Sequence, residues 1–243
     1  MGILQVIPKD QFFSEADRRE FRPGQFCYVP VPHLRPIPRI LDVERQTSEE
    51  HDNIRFTIRD ANQERDFKKN DRDLPIMGLN LRSNEELLIH QAKRRPCVII
   101  SSEVDRLPEL DSLLRGKGKR HYHTNTTFVV PLNSIESDES RSGFPMEMAA
   151  RIRCLRYRRF FYIPKHPELR KESIARVDRV WTVEGNSPVA ISPIGIALAE
   201  ESLSILLAMV VFCLTGEEDK YLRNAREILR DYSPETGSDD RSE

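Results

Sequence analysis

Two short apolar runs decide the fold of this chain: Arg95-Pro-Cys-Val-Ile-Ile-Ser-Ser102 and Phe128-Val-Val-Pro-Leu-Asn-Ser134. Both runs are rich in Val and Ile and are too short for typical helices, which favours buried strands. Each run carries polar side chains at its ends. The sequence therefore predicts a small sheet with polar groups along its rim.

The prolines of the two runs fix where those polar groups lie. Pro96 fits only where the chain enters the first strand, so it holds Arg95 at the mouth of that strand. Pro131 interrupts the second strand, and we expect the residues after it to bend away from the sheet. That bend would leave Asn133 and Ser134 at the edge. Arg95 is thus predicted to converge with Asn133 or Ser134.

Four segments of the chain resemble the MazF/PemK toxin family, and they occur in the family's order. The resemblance covers mainly residues 21 to 32 and 93 to 214. The segments are Arg22-Pro-Gly-Gln-Phe-Cys-Tyr-Val29, the two runs quoted above, and Ser173-Ile-Ala-Arg-Val-Asp-Arg-Val-Trp-Thr182. Each is short, so the ordered set carries the resemblance rather than any one motif.

The resemblance implies a fold and a function. The fold would be a β-rich α+β domain over residues 1–243, built on the SH3-like small β-barrel that MazF/PemK and CcdB toxins share, with C-terminal helices. The function would be sequence-specific cleavage of single-stranded RNA by a toxin that needs neither a metal nor any other cofactor. It would leave a 2′,3′-cyclic phosphate. The expected partners are the RNA, a cognate antitoxin protein and a second copy in a homodimer.

The resemblance also implies the catalytic residues. The family's catalytic arginine corresponds to Arg95, and its partner threonine is replaced here by Asn133. An asparagine amide can still donate a hydrogen bond to a phosphate oxygen, and Ser134 offers a hydroxyl one residue further on. Arg95, Asn133 and Ser134 are therefore the candidate catalytic residues.

A second function stays open beside the nuclease. It is a non-catalytic SH3-like module that binds a protein or nucleic-acid partner, either as a degenerate toxin or as a poison of a protein target like CcdB. Asn133 and a large insertion favour this alternative. The retained Arg95 and a basic, aromatic segment favour the nuclease.

The insertion spans residues 33–92, because a minimal barrel of this kind needs roughly half of the 243 residues. Residues 38–45 and 53–60 flank a polar turn and predict a β-hairpin. Alternation in the second strand predicts that Ile54, Phe56 and Ile58 point inward, with Arg59 on the wet face. After a charged loop, residues 84–92 predict a short helix.

Positive charge is concentrated in one segment, although the net charge of the chain is only −1. The basic residues from 151 to 179 are Arg151, Arg153, Arg156, Arg158, Arg159, Lys165, Arg170, Lys171, Arg176 and Arg179. Aromatic residues are interleaved with them, as on surfaces that bind unpaired bases. An arginine-rich wet face of a strand is an equally good interpretation. Alternation over residues 146–154 predicts that strand.

The candidate RNA-binding residues come from three parts of the chain: Lys93, Arg94, Lys117, Lys119, Arg120, Arg151, Arg153 and Tyr157. His121 and His123 form an HxH pair that either serves as a base or metal ligand, or simply lies on the surface, which is commoner. Four single cysteines without CxxC spacing predict buried thiols rather than metal ligands. The opening residues lack the pattern of a signal peptide, so we expect a cytoplasmic protein.

The C-terminal part predicts two helices. The first, over residues 200–214, is apolar on most faces and stops at Gly216. Its uninterrupted apolar part, residues 205–214, is too short to span a bilayer, so no membrane partner is expected. An all-round apolar helix also suits a dimer interface. The second, over residues 217–231, is amphipathic, and residues 232–243 predict a disordered tail.

Overall fold

A computed structural model describes residues 2–45, 54–68, 84–102, 126–137, 142–184 and 190–234. The chain divides into two compact units. The first comprises Met1–Val31 and Arg94–Glu243, and the second comprises Pro32–Lys93. The second unit covers nearly the same residues as the segment that the sequence sets apart as an insertion. That this segment interrupts a single family domain stays a prediction.

Eleven strands and three α-helices are found in the described residues. The strands are β1 (Phe13–Glu15), β2 (Gln25–Pro32), β3 (Arg39–Arg45), β4 (Ile54–Asp60), β5 (Leu88–Ile89), β6 (Ala92–Ser101), β7 (Thr126–Ser134), β8 (Phe160–Ile163), β9 (Ser173–Arg176), β10 (Trp181–Glu184) and β11 (Ser192–Leu198). The helices are α1 (Met146–Arg153), α2 (Glu200–Thr215) and α3 (Lys220–Arg230).

The central pairing of the first unit joins β6 to β7 in antiparallel register, which confirms both predicted strands. Val98 lies opposite Val130, and Cys97 lies opposite Pro131. Because side chains alternate across a sheet, Val98 and Val130 share one face and Cys97 lies on the other. Val98 and Val130 belong to the main core, whereas Cys97 belongs to a smaller buried cluster. The two faces of this pair therefore support separate apolar layers.

The eight strands of the first unit form a mostly antiparallel sheet in the order β1-β11-β2-β6-β7-β9-β8, with β10 also paired to β7. With its helices, the unit confirms a β-rich α+β fold. Among the strands that the structure describes, the pairing runs from β1 to β8 and does not return to its start. The described strands thus do not show the closed SH3-like barrel that the resemblance implies.

Both predicted C-terminal helices are confirmed as α2 and α3. α2 stops at Gly216, whose φ of 83° is the left-handed conformation that glycine adopts without steric cost. α3 begins at Asp219, whose carboxylate accepts a hydrogen bond from the Leu222 backbone N–H. One face of each helix packs in the main core. Of the predicted tail, residues 235–243 lie outside the described residues.

Two other predictions of secondary structure are wrong. Residues 84–92 do not form a helix: Leu88–Ile89 is the short strand β5, paired with β3. Residues 146–154 do not form a strand, because Met146–Arg153 is helix α1. The buried side chains of α1 are Ala149 and Ile152, three positions apart, which is helical spacing. The apparent alternation in this short segment therefore fits both periods, and packing on the core decides between them.

The second unit contains the predicted hairpin, since β3 pairs with β4 in antiparallel register from Arg39 opposite Asp60 to Arg45 opposite Ile54. The prediction that the apolar side of β4 points inward is wrong, although Arg55 and Thr57 on its other side are exposed as expected. Phe56 and Ile58 are 62% and 55% exposed. Arg59, on the other face, is largely buried. The polar turn at 47–52 lies outside the described residues.

An ion cluster explains why Arg59 turns inward. Its guanidinium donates two hydrogen bonds of 2.7 Å to the Asp66 carboxylate, and it also bonds to Asp42 on β3. The Asp66 side chain is only 2% exposed and accepts a further bond from the Asn62 backbone N–H at 2.7 Å. Bidentate pairing of this kind fixes the loop after β4 against the hairpin. The hydrogen bonds from Arg59 hold the pKa of Asp66 far below its ordinary value.

We expect the second unit to be acid-sensitive through Asp66. Because the folded pKa lies below the unfolded value of about 3.9, the stabilisation is complete above that pH. It is lost as the pH falls through the folded pKa. Amide-exchange protection in β3 and β4 should therefore decline below about pH 4. Asp66→Asn should lower that protection at neutral pH and remove its acid dependence; a variant that matches wild type at both pH values would contradict this role.

Candidate functional site

The β6–β7 register positions the first candidate residues. Cys97 lies opposite Pro131, and strand alternation puts Arg95 on the face of Cys97 and Asn133 on the face of Pro131. Opposite residues share a face of the sheet, and both side chains are half-buried. The Arg95 charge also lies within electrostatic range of Cys97. Arg95 and Asn133 thus lie on the face of the sheet that carries the small cluster.

Ser134 is placed differently. As the residue after Asn133 it belongs to the opposite face of β7, and its hydroxyl donates to the Glu136 carbonyl at 3.3 Å. The expected bend after Pro131 is also wrong. Leu132 and Asn133 stay in the sheet, opposite Ala175 and Ile174 of β9. The pairing of β7 with β6 includes Pro131, and its pairing with β9 begins at Leu132.

A buried apolar cluster lies on the same face of the sheet as Arg95 and Asn133. It is the small cluster formed by Cys27, Val29, Cys97, Ile99, Val129, Val183 and Ile191. Burial raises the pKa of the Cys27 thiol to about 12, and it raises that of Cys97 well above its ordinary value. These thiols stay protonated at neutral pH and pack as small apolar groups. Charge at this end of the sheet therefore comes from Arg95.

Two further candidates, Lys93 and Arg94, directly precede Arg95 in the sequence. Arg94 lies over the Tyr28 ring, with its guanidinium carbon 4.8 Å from the ring centroid. By strand alternation it lies on the face opposite Arg95. Lys93 is exposed and belongs to the second unit. Lys117, Lys119, Arg120, His121 and His123 lie outside the described residues.

The candidates around α1 hold the fold together. Arg153 pairs with Glu172 at 2.6 Å and lies over the Tyr162 ring, 5.7 Å from its centroid. The hydrogen bond to Glu172 raises the pKa of Arg153. Arg151 is half-buried, and Tyr157 packs edge-on against Phe160. Arg153 and Tyr157 thus contact Glu172 and rings of β8.

Neither a metal-ligand cluster nor a membrane-spanning helix occurs in the part of the chain that the structure describes. No group of three or more His, Cys, Asp or Glu side chains there could hold a metal ion. No helix there is long and apolar enough to cross a bilayer. A cleft of about 560 Å³ lies beside the edge strand β1, lined by Lys9, Asp10, Phe13, Ser14, Glu15, His166 and Ile196. None of these lining residues carries a sequence motif, so sequence reasoning missed the cleft.

Comparison with protein-family models, with curated proteins and with solved structures finds no match for this chain. A function must therefore be argued from the chain's own residues and from the resemblance of its four segments. Among the predicted catalytic residues, only Arg95 and Asn133 share a face of neighbouring strands.

The buried cysteines give a direct test of whether the small cluster is closed to solvent. Cys27, Cys97 and Cys154 are buried, whereas Cys213 is only partly buried. We expect a maleimide to label Cys213 first under native conditions and to leave the other three unlabelled until the chain is unfolded in urea. Mass spectrometry of the labelled peptides reads the order. Fast native labelling of Cys27 or Cys97 would show that the cluster beside Arg95 is open to solvent.

Proposed function

We propose that this protein is an endoribonuclease of the MazF/PemK kind, which cuts single-stranded RNA without a metal at a site formed by Arg95 and Asn133. The proposal includes the SH3-like barrel as the fold of the first unit. The observation that supports it is the pairing of Cys97 with Pro131, because alternation then puts Arg95 and Asn133, two residues further along each strand, on one face of the sheet.

The chemistry follows from these two side chains. The RNA 2′-hydroxyl attacks the adjacent phosphorus, the bond to the 5′-oxygen of the next nucleotide breaks, and the products carry a 2′,3′-cyclic phosphate and a 5′-hydroxyl. Arg95 stays cationic and stabilises the charge that grows on the phosphoryl oxygens. The Asn133 amide donates to one of those oxygens and orients the phosphate. The buried small cluster on the same face lowers the polarity around the Arg95 and Asn133 side chains, which strengthens both interactions.

We also propose that the toxin is a homodimer silenced by an antitoxin protein. α2 supports the dimer, because it exposes an apolar stripe beside its buried face. Val211 is 52% exposed and Leu214 is 70% exposed. Leu207 lies on the same stripe, one turn before Val211. A second copy of this helix would cover the stripe.

The replacement of the family threonine by Asn133 favours a second function. Asn133 has no hydroxyl, so it cannot take part in proton transfer as a threonine could. A module that binds RNA or a protein with the same face, without cutting, is the alternative that this residue favours. Purified protein that binds RNA but leaves it intact would support the module.

The nuclease is tested on a long single-stranded RNA with and without EDTA, followed by mapping of the cut ends. We expect sequence-restricted, EDTA-resistant cuts. Arg95→Ala should lower the rate by about 10²–10³-fold, as removal of one preorganised donor does in other enzymes. Arg230→Ala, which removes an exposed arginine from α3, is the matched control and should cut like wild type.

Asn133 separates the two functions further. Asn133→Ala should slow cleavage about tenfold, because one donor to the phosphate is lost. Asn133→Thr, which restores the family's residue, should keep or raise the rate. Circular dichroism of each variant checks that the fold is retained. Full activity of a folded Arg95→Ala protein would overturn the mechanism.

A further inference from the structure

The arginines of the basic segment divide into two classes in the structure. Arg158 donates to the Phe212 and Cys213 carbonyls at 2.7 and 2.9 Å, so it caps the C-terminal end of α2. Arg176 pairs with Asp178 through bonds of 2.7 and 2.6 Å. These side chains serve the fold. The Asp178 carboxylate neutralises the charge of Arg176, and the two carbonyl oxygens accept hydrogen bonds from Arg158.

Arg159 and Arg179 belong to the other class. Both are exposed, and neither forms an ion pair or side-chain hydrogen bond within the described residues. Their backbones meet at one end of the β8–β9 pair. The Val177 N–H donates to the Arg159 carbonyl at 3.1 Å, and the Arg179 N–H donates to the Arg176 carbonyl at 2.8 Å. Two exposed guanidinium groups are therefore held at the same end of two neighbouring strands; the charge of Arg179 also acts on Asp178, which Arg176 already binds.

Aromatic residues lie next to Arg159 along the chain. Phe160 begins β8 directly after Arg159, and it lies opposite Arg176 of β9. Arg176 lies over its ring, with the guanidinium carbon 5.3 Å from the centroid. Tyr157 packs against Phe160 with ring centroids 5.8 Å apart and stays partly exposed. Arginines interleaved with half-exposed aromatic rings suit unpaired nucleotides, which offer both phosphates and stacking faces.

The sheet connects this patch to the proposed site. Asn133 of β7 lies opposite Ile174 of β9, and Arg176 is two residues further along β9. Strand geometry makes the Cα atoms of Asn133 and Arg176 about 8 Å apart. A strand of RNA held at Asn133 can therefore reach the patch within a few nucleotides.

We infer that Arg159 and Arg179, with Tyr157 beside them, form a second contact surface for single-stranded nucleic acid, next to the proposed cleavage site. This inference deepens the proposed function, because it names where the same RNA continues beyond Arg95 and Asn133. It assigns the contact to the phosphate backbone and to stacking, so it predicts little dependence on sequence.

The test separates binding from cleavage. The probe is a fluorescein-labelled 20-nucleotide 2′-O-methyl RNA of mixed sequence, which cannot be cut because it has no free 2′-hydroxyl. Fluorescence anisotropy gives Kd over a range of salt concentrations. We expect Arg159→Gln/Arg179→Gln to weaken binding about tenfold or more at low salt. The slope of log Kd against log salt should fall by about 1.4, because two phosphate contacts are lost.

The matched control is Arg19→Gln/Arg230→Gln, which removes two other exposed arginines of the first unit and the same charge. It should bind like wild type. Equal Kd and slope for both double variants would overturn the inference, as would binding to anionic phospholipid vesicles without binding to the probe. If wild type binds the probe through these arginines but never cuts RNA, the inference stands and the proposed nuclease fails. If cleavage depends on Arg95 while the double variant binds normally, the nuclease stands and the inference fails.

Discussion

The pairing of β6 with β7 is the constraint on which the rest of the structure depends. It sets Val98 and Val130 on the main core and Cys97 on the small cluster, so one register determines both apolar layers. A slip of one residue would exchange the two faces and expose both layers. By alternation, Arg95 and Asn133 lie on the same face as Cys97 and Pro131. Packing thus fixes the face on which both candidate residues lie.

Electrostatics in this protein are mostly local. The positive charge of residues 151–179 is divided between side chains that hold the fold and side chains that face solvent. Arg153 is bound by Glu172, and Arg176 by Asp178. Arg159 and Arg179 are among the side chains that face solvent, as are Lys165 and Arg170. A net charge of −1 therefore coexists with a surface that attracts phosphates, since attraction depends on uncompensated charge near the ligand rather than on the total.

Sequence reasoning reached the strands and helices that have strong patterns. The Val- and Ile-rich runs, the hairpin and the helix that stops at Gly216 are all present. It failed where tertiary contacts override a weak pattern. The sequence of α1 alternates like a strand, and only its packing shows that it is a helix. Arg59 turns inward because it binds Asp66, which lies in the loop after β4. For the site, the pairing of Arg95 with Asn133 was within reach of the sequence. The roles of Arg153 and Arg159 were not, because adjacent basic residues look alike until their partners are known.

The most direct measurement is a cysteine cross-link between Arg95→Cys and Asn133→Cys. Residues opposite each other in an antiparallel pair have Cα atoms about 4.5–5.5 Å apart, which suits a disulfide. Peptide mass spectrometry after mild oxidation identifies the linked pair and distinguishes it from native cysteines. The account predicts a 95–133 disulfide in high yield, and none in Arg94→Cys/Asn133→Cys, whose side chains lie on opposite faces. Absence of the first cross-link, or equal formation of both, would contradict the shared face on which the proposed site rests.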